Sequence, residues 1–176
     1  MDVALRWLNE SEWACAQEWM PILCVEAVLV RGAHDSLQVG LIQRYSPFGT
    51  DPVWCQIGGR VMRNEVLTSA LTRHISDAVS DVSVDVGTDP QPLYVMQFLP
   101  SGPVAEAPWA GTDPRKHSVS LCYLVSVSTD PVCRTGGEAL NFKWFGVDEL
   151  AGLTQMWPGA SHLIDALLAR SGLSSS

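Results

Sequence analysis

"GGRVMRNEVLTSALTRHISDA" occupies residues 58–78. A glycine pair leads into a segment where Val66, Leu67, Ala70, Leu71, Ile75, Ala78 and Val79 recur three and four residues apart, the spacing that lines one face of an α-helix. The periodicity predicts an amphipathic helix over 65–80, with Arg73, His74 and Asp77 on its polar face. Just before it, "VWCQI" (53–57) reads as a short strand that runs directly into Gly58 and Gly59.

On the N-terminal side, "ILCVEAVLV" (22–30) and "VGLIQRY" (39–45) are β-like runs separated by the turn-rich "RGAHDSLQ", and together they predict a hairpin. "NESEWACAQEWMP" predicts a short helix capped by Asn9 or Ser11 and stopped at Pro21. On the C-terminal side, strands are predicted in "LYVMQFL" (93–99), "SVSLCYLVSVS" (118–128) and "FKWFGV" (142–147). A Pro- and Gly-rich loop fills 100–117, and a last helix covers 161–170. Strands on both sides of a central helix imply an α/β/α sandwich built on a mixed β-sheet. No G-x-G-x-x-G follows a strand and no G-x-x-x-x-G-K-[ST] occurs, so dinucleotide and phosphate-loop folds have no anchor.

The chain's 176 residues, 47% of them apolar, suit one domain with a sizeable core. A formal net charge of −8 without a concentrated basic field argues against a nucleic-acid polymer as partner, so an anionic ligand must meet a local basic pocket. Five cysteines at irregular spacings, with no C-x-x-C pair and no signal peptide, point to a reducing, cytoplasmic setting. No apolar run approaches the roughly 20 residues that span a bilayer, so no membrane segment is expected. Nine arginines against two lysines, beside abundant Ala, Val and Gly, hint at a GC-rich bacterial genome.

Strand, Gly-Gly, five residues, Glu, seven residues, Arg and then a helix resembles the Nudix box, with Gly59, Glu65 and Arg73 on its spacing. The Nudix box reads G, five residues, E, seven residues, R-E-U-x-E-E-x-G-U, where U is aliphatic and the glutamates after the arginine bind magnesium or manganese. Here the first of those glutamates is His74, the acidic pair is Asp77-Ala78, and Ser80-Asp81 closes the box. "EALNFKWFGVDEL" (138–150) also resembles the closing segment of Nudix domains. More narrowly, "VWCQIGGRV", "DPQPLYVMQF" and "DPRKHSV" resemble an actinobacterial Nudix-like branch in which Arg-His likewise replaces Arg-Glu. The resemblance divides the chain into a helical extension (1–20), a Nudix-like domain (21–171) and a frayed polar tail (172–176).

The resemblance implies a hydrolase of a small organic or nucleoside diphosphate, with Gly58, Gly59, Glu65 and Arg73 as the structural frame of the box. His74 and Asp77, three residues apart on a helix, share a face and become the candidate metal and catalytic residues; a third ligand must come from elsewhere. One carboxylate and one imidazole make a poor magnesium site, and imidazole better suits zinc, manganese or ferrous iron; the metal is left open among Mn, Zn and Mg. Glu138, in the flexible "TGGEAL", is the candidate general base. Arg44, Arg60, Arg63, Arg115, Lys116 and His117 are candidates to hold a phosphorylated anion, and Trp54, next to the box, is a candidate to stack on a ring. Trp109, in the long loop, is a second candidate for stacking; the other tryptophans are expected mostly in packing roles, and Cys55 as a buried structural thiol. The missing carboxylates support an alternative: a Nudix-fold ligand-binding module, or an enzyme of different chemistry reusing the pocket. A homodimer is left open.

Overall fold

The computed structural model describes residues 8–134 and 137–173. Helix α1 (Glu10–Trp19) opens the described chain; Asn9 caps it, accepting from the Glu12 amide at 2.9 Å while Glu12 reaches back to the Asn9 amide. The predicted hairpin is present as β1 (Ile22–Arg31) and β2 (Gln38–Arg44), antiparallel, with Val30 opposite Val39. The segment expected to be one strand is two: β3 (Val53–Cys55) and β4 (Ile57–Arg60), separated by Gln56. Helix α2 (Leu67–Ala78) follows, then the two-residue β5 (Val79–Ser80), which pairs with β9 (Val132–Cys133) in a small sheet of its own. The remaining elements are β6 (Tyr94–Leu99), β7 (Gly111–Thr112), β8 (Ser118–Ser126), β10 (Asn141–Gly146), α3 (Val147–Ala151) and α4 (Ala160–Ser171).

The main sheet runs β10-β2-β1-β8-β6-β7, with β3 added to β2 and β4 to β1. It is mixed: β1 lies parallel to β8 and antiparallel to β2 and β4. The central β1 is therefore buried along most of its length, as a strand covered on both faces must be. Helix α2 packs on β1 and β4, and α4 on β6 and β8, giving the α/β/α sandwich that the sequence predicts. Ala70, Leu71, Ile75 and Ala78 of the predicted apolar stripe are buried in the core, whereas Val66 lies before the helix and is exposed. Because Val79 is already extended and paired with β9, α2 ends at Ala78 and not at 80.

A fork in the sheet creates the site. Strands β1 and β2 pair only over Leu29–Arg31 and Gln38–Gly40. Beyond that they diverge: β4 takes over the edge of β1 along Cys24–Ala27, and β3 takes over the edge of β2 along Ile42–Arg44. The chain changes neighbour at Gln56, so residues from β1, β2, β3 and β4 all face the same opening. Residues 1–7 of the predicted extension and Ser174–Ser176 of the predicted frayed tail lie outside the described residues. Among the described residues no helix is long and apolar enough to cross a membrane.

Candidate functional site

The frame of the box is a hydrogen-bonded clamp. Arg73, near the middle of α2, grips Glu65 with two parallel bonds, Nε to Oε1 and Nη2 to Oε2, each 2.7 Å. The Glu65 side chain is only 1% exposed, and its Oε2 also accepts from the Met62 amide at 2.8 Å. The Arg73 bonds hold the Glu65 carboxyl below the usual carboxylate range, more than offsetting the opposite push of burial. Arg73 Nη2 donates further to the Arg60 carbonyl at 3.1 Å, tying the loop to the helix.

His74 is a second peg on that carbonyl: its Nε2 lies 3.1 Å from the Arg60 oxygen. A carbonyl only accepts, so Nε2 carries the hydrogen. Burial lowers the pKa of the ring, which favours the neutral imidazole. A glutamate here would set a carboxylate against a carbonyl oxygen, whereas imidazole supplies a donor. The two glycines make room for side chains and not for a left-handed turn. A Cβ on Gly59 would lie 2.4 Å from His74 Cε1; one on Gly58 would lie 2.1 Å from Glu26 Oε2 and 2.5 Å from the Val25 carbonyl oxygen.

These groups line a cleft of about 360 Å³. Of the proposed substrate residues, Arg44, Arg60, Arg115 and Lys116 line it, as do His74, Asp77 and Glu138. Three do not. Arg63 is exposed outside it; His117 turns to Gln97, its Nε2 3.2 Å from Oε1; and Trp54 is buried in the core, edge-on to Phe145 at 5.0 Å. Trp54 faces inward because β3 pairs with β2 and the bridge to Met156 covers it. Trp19, expected to pack, is 77% exposed.

Trp157, with Phe98, brings an aromatic ring to the cleft. Its Nε1 donates to the Thr112 carbonyl at 2.9 Å, and its ring carries the Arg44 and Arg115 guanidiniums at 5.5 and 5.4 Å from the centroid. Arg44 Nη1 donates to Glu138 at 3.0 Å, while its Nε is enclosed with no hydrogen-bond partner among the described residues. Arg115 grips the buried Asp113 with two 2.8 Å bonds, and Lys116 Nζ stands 3.3 Å from the same carboxylate. Burial alone would raise the Asp113 pKa; Arg115 and Lys116 outweigh it and hold it low. Arg60 packs its guanidinium 4.2 Å from the Trp13 ring centroid, so α1 borders the site.

The floor holds groups that the sequence reading passed over. Glu26 projects from β1, its Oε2 accepting from Gln56 Nε2 at 3.1 Å and its Oε1 from Ser120 Oγ at 3.2 Å. Burial pushes its pKa up to about 7, against the lowering pull of Gln56, Lys116, Ser120 and Arg44. The signal was present as the one charge in "ILCVEAVLV", legible only as an interruption until the fork aims it into a cleft. Cys24 and Cys55 also line the cleft, but burial drives both thiols up to about 12, which leaves them protonated and poorly nucleophilic.

The donors present do not fit a box metal. Glu65 is spent on Arg73, His74 Nε2 on the Arg60 carbonyl, Asp113 on Arg115 and Lys116, and Glu138 on Arg44. Among the described residues no group of three or more His, Cys, Asp and Glu side chains could hold a metal ion, so His74 and Asp77 find no third partner.

A mixed sheet between helices, with a glycine-led loop tied to a helix by an Arg–Glu clamp beside a cleft, defines a Nudix-superfamily fold. Residues 4–173 match the model of a domain of unknown function, DUF4916, and the chain belongs to that family. A protein from Jonesia denitrificans described as a possible asymmetric diadenosine tetraphosphate (Ap4A) hydrolase is 30% identical, over 90% of this chain and 99% of that one, with a TM-score of 0.73. The Nudix domain of Shewanella oneidensis NrtR, solved with ADP-ribose, is 23% identical over 95% of this chain and 100% of that one, at a TM-score of 0.56. A bifunctional NMN adenylyltransferase/ADP-ribose pyrophosphatase from Francisella tularensis shares the fold at 17% identity and a TM-score of 0.61, covering 89% of this chain and 43% of that one. No functionally curated protein matches the sequence significantly.

Proposed function

We propose that the cleft binds a small phosphorylated molecule of the nucleoside-diphosphate type, with guanidinium groups supplying the charge that a metal supplies in a complete Nudix box. The observation that carries this is the concentration of cations. In a chain of net charge −8, Arg44, Arg60, Arg73, Arg115 and Lys116, five of the eleven Lys and Arg residues, line one cleft. Arg73 is committed to Glu65. The others are held in place by Trp157, Trp13 and Asp113, so little side-chain entropy is lost when an anion arrives. The unpartnered Nε of Arg44 is a further donor for a phosphate oxygen. The relatives described as a possible Ap4A hydrolase and as an ADP-ribose complex support nucleotide-like probes.

Calorimetric titration with ADP-ribose tests this reading. Arg44→Ala and Arg115→Ala should each weaken binding by about tenfold, the scale of one lost charge-assisted contact. Unchanged affinity in both variants would place the anion elsewhere.

A second reading, hydrolysis of the bound diphosphate, is favoured by Glu138 on the cleft rim and by the 30% identity to the J. denitrificans protein. Glu138 is there the group to take a proton from water, once an incoming phosphate competes for Arg44. Asp77 and the Nδ1 of His74 are the box donors left for Mn, Zn or Mg, fewer than such an ion needs. Slow turnover of Ap4A or ADP-ribose is therefore the expectation under this reading.

A further inference from the structure

Within residues 24–30 of β1, Glu26 alone is not buried, and it lines the cleft. Gly58, its partner on β4, leaves the carboxyl that room. Its two oxygens meet neutral donors, the Gln56 amide and the Ser120 hydroxyl, and no cation among the described residues pairs with it. The cations whose fields reach it, Lys116 and Arg44, are bound to Asp113 and Glu138. An anion that draws on those cations therefore brings negative charge toward a carboxyl without a counter-ion, and like charges sharing one site favour protonation of the acid. Protonation needs no rearrangement, because Ser120 Oγ, 3.2 Å from Oε1, can accept as well as donate. The pKa stands at about 7 before any ligand arrives, so the proton is exchangeable near neutrality.

The groups around Glu26 do not respond in the same range. Burial keeps the thiols of Cys24 on β1, Cys55 on β3 and Cys122 on β8 protonated. Arg115 and Lys116 keep Asp113 ionised, the arginines stay cationic, and burial keeps the His74 ring of α2 neutral above its ordinary pKa of 6.5.

We infer that binding of a phosphorylated anion in this cleft is coupled to uptake of a solvent proton by Glu26, so that the site tightens on its ligand as pH falls through neutrality. Coupling of this kind rests on the anion reading of the cleft and adds its regulation. The sign follows from linkage: a negative ligand raises the carboxyl pKa, so binding takes up a proton and rising pH opposes it. ADP-ribose is the probe, because each of its phosphates is doubly substituted and keeps a single charge near neutral pH. Titrated as the full chain, wild type should bind it about fivefold more weakly at pH 8.5 than at pH 6.5, the drop expected if the ligand lifts the Glu26 pKa from about 7 to about 8. Calorimetry at pH 7.5 in buffers of different ionisation enthalpy should find about half a proton taken up per ligand. Glu26→Gln, which has no proton to exchange, should vary by less than about twofold over the same range and show no uptake. Wild-type binding that is flat with pH and takes up no proton would overturn the inference while leaving the anion reading intact, and that arm needs no variant to fold. A Glu26→Gln protein that keeps the wild-type slope would overturn it as well, and would place the titrating group at Asp77 or Glu138. Failure of wild type to bind ADP-ribose at either pH would remove the anion reading and the coupling with it.

Discussion

Arg73→Ala should lower the thermal midpoint by roughly 6–12 °C, the largest stability loss expected from any single side chain in the box. The substitution removes both bonds to Glu65 and one to the Arg60 carbonyl, and it leaves a carboxylate that is 1% exposed without its counter-charge. Breaking a buried pair by deleting one partner costs about 3 kcal/mol or somewhat more, and each kcal/mol is worth about 2–4 °C in a domain of this size. Arg73→Lys should recover less than half of the loss, because an ammonium cannot make two parallel bonds. The pH dependence has a defined sign. A carboxyl whose folded pKa is depressed contributes stability above its unfolded value of 4.5 and loses it as pH falls through the folded value. Wild type should therefore show an acid limb below pH 4.5 that is weakened in Arg73→Ala. A midpoint shift under about 3 °C would mean that the clamp is not what holds the loop to the helix.

Glu26→Gln should act in the opposite direction and stabilise the protein at pH 8. The folded carboxyl has its pKa raised from 4.5 to about 7, so the folded chain holds a proton that the unfolded chain has released. Stability is complete below pH 4.5, falls as pH rises toward 7, and stays reduced above it; the difference corresponds to on the order of 3 kcal/mol. Lys116 and Arg44 pull toward the ionised form, and the neighbouring thiols of Cys24, Cys55 and Cys122 stay protonated, so burial of the carboxyl governs the sign. Glutamine keeps the shape and removes the charge, so chemical denaturation should find the variant about 2–3 kcal/mol more stable at pH 8 and equal to wild type near pH 4. Parallel pH profiles would mean that Glu26 is solvated in the folded chain.

What the sequence discloses follows from the range of the forces involved. The apolar period of Leu67, Ala70, Leu71, Ile75 and Ala78 is a local property, and α2 carries it almost unchanged. The spacing of Gly59, Glu65 and Arg73 is also local, because the clamp closes between one loop and the helix that follows it. The cleft is assembled by long-range pairing, and there local reading fails in identifiable ways. Local sequence does not tell Trp54 from Trp157, yet strand pairing buries the first against Phe145 while the second carries two guanidiniums. Gln56 reads as an ordinary strand residue, and only the divergence of β1 from β2 turns it into the floor of a cavity. His74 looks like a candidate metal ligand by its place in the box; that its Nε2 is engaged by the Arg60 carbonyl is set by the fold of the loop and is not legible in the spacing.

If guanidinium groups supply the charge that a metal supplies in a complete Nudix box, ADP-ribose should bind without metal. Wild type titrated with ADP-ribose in excess EDTA should bind it, with a Kd that changes by less than about twofold when Mg²⁺, Mn²⁺ or Zn²⁺ is supplied, because cationic side chains already line the cleft. Binding that appears only with metal, accompanied by stoichiometric retention of the ion, would mean that the cleft depends on a metal after all.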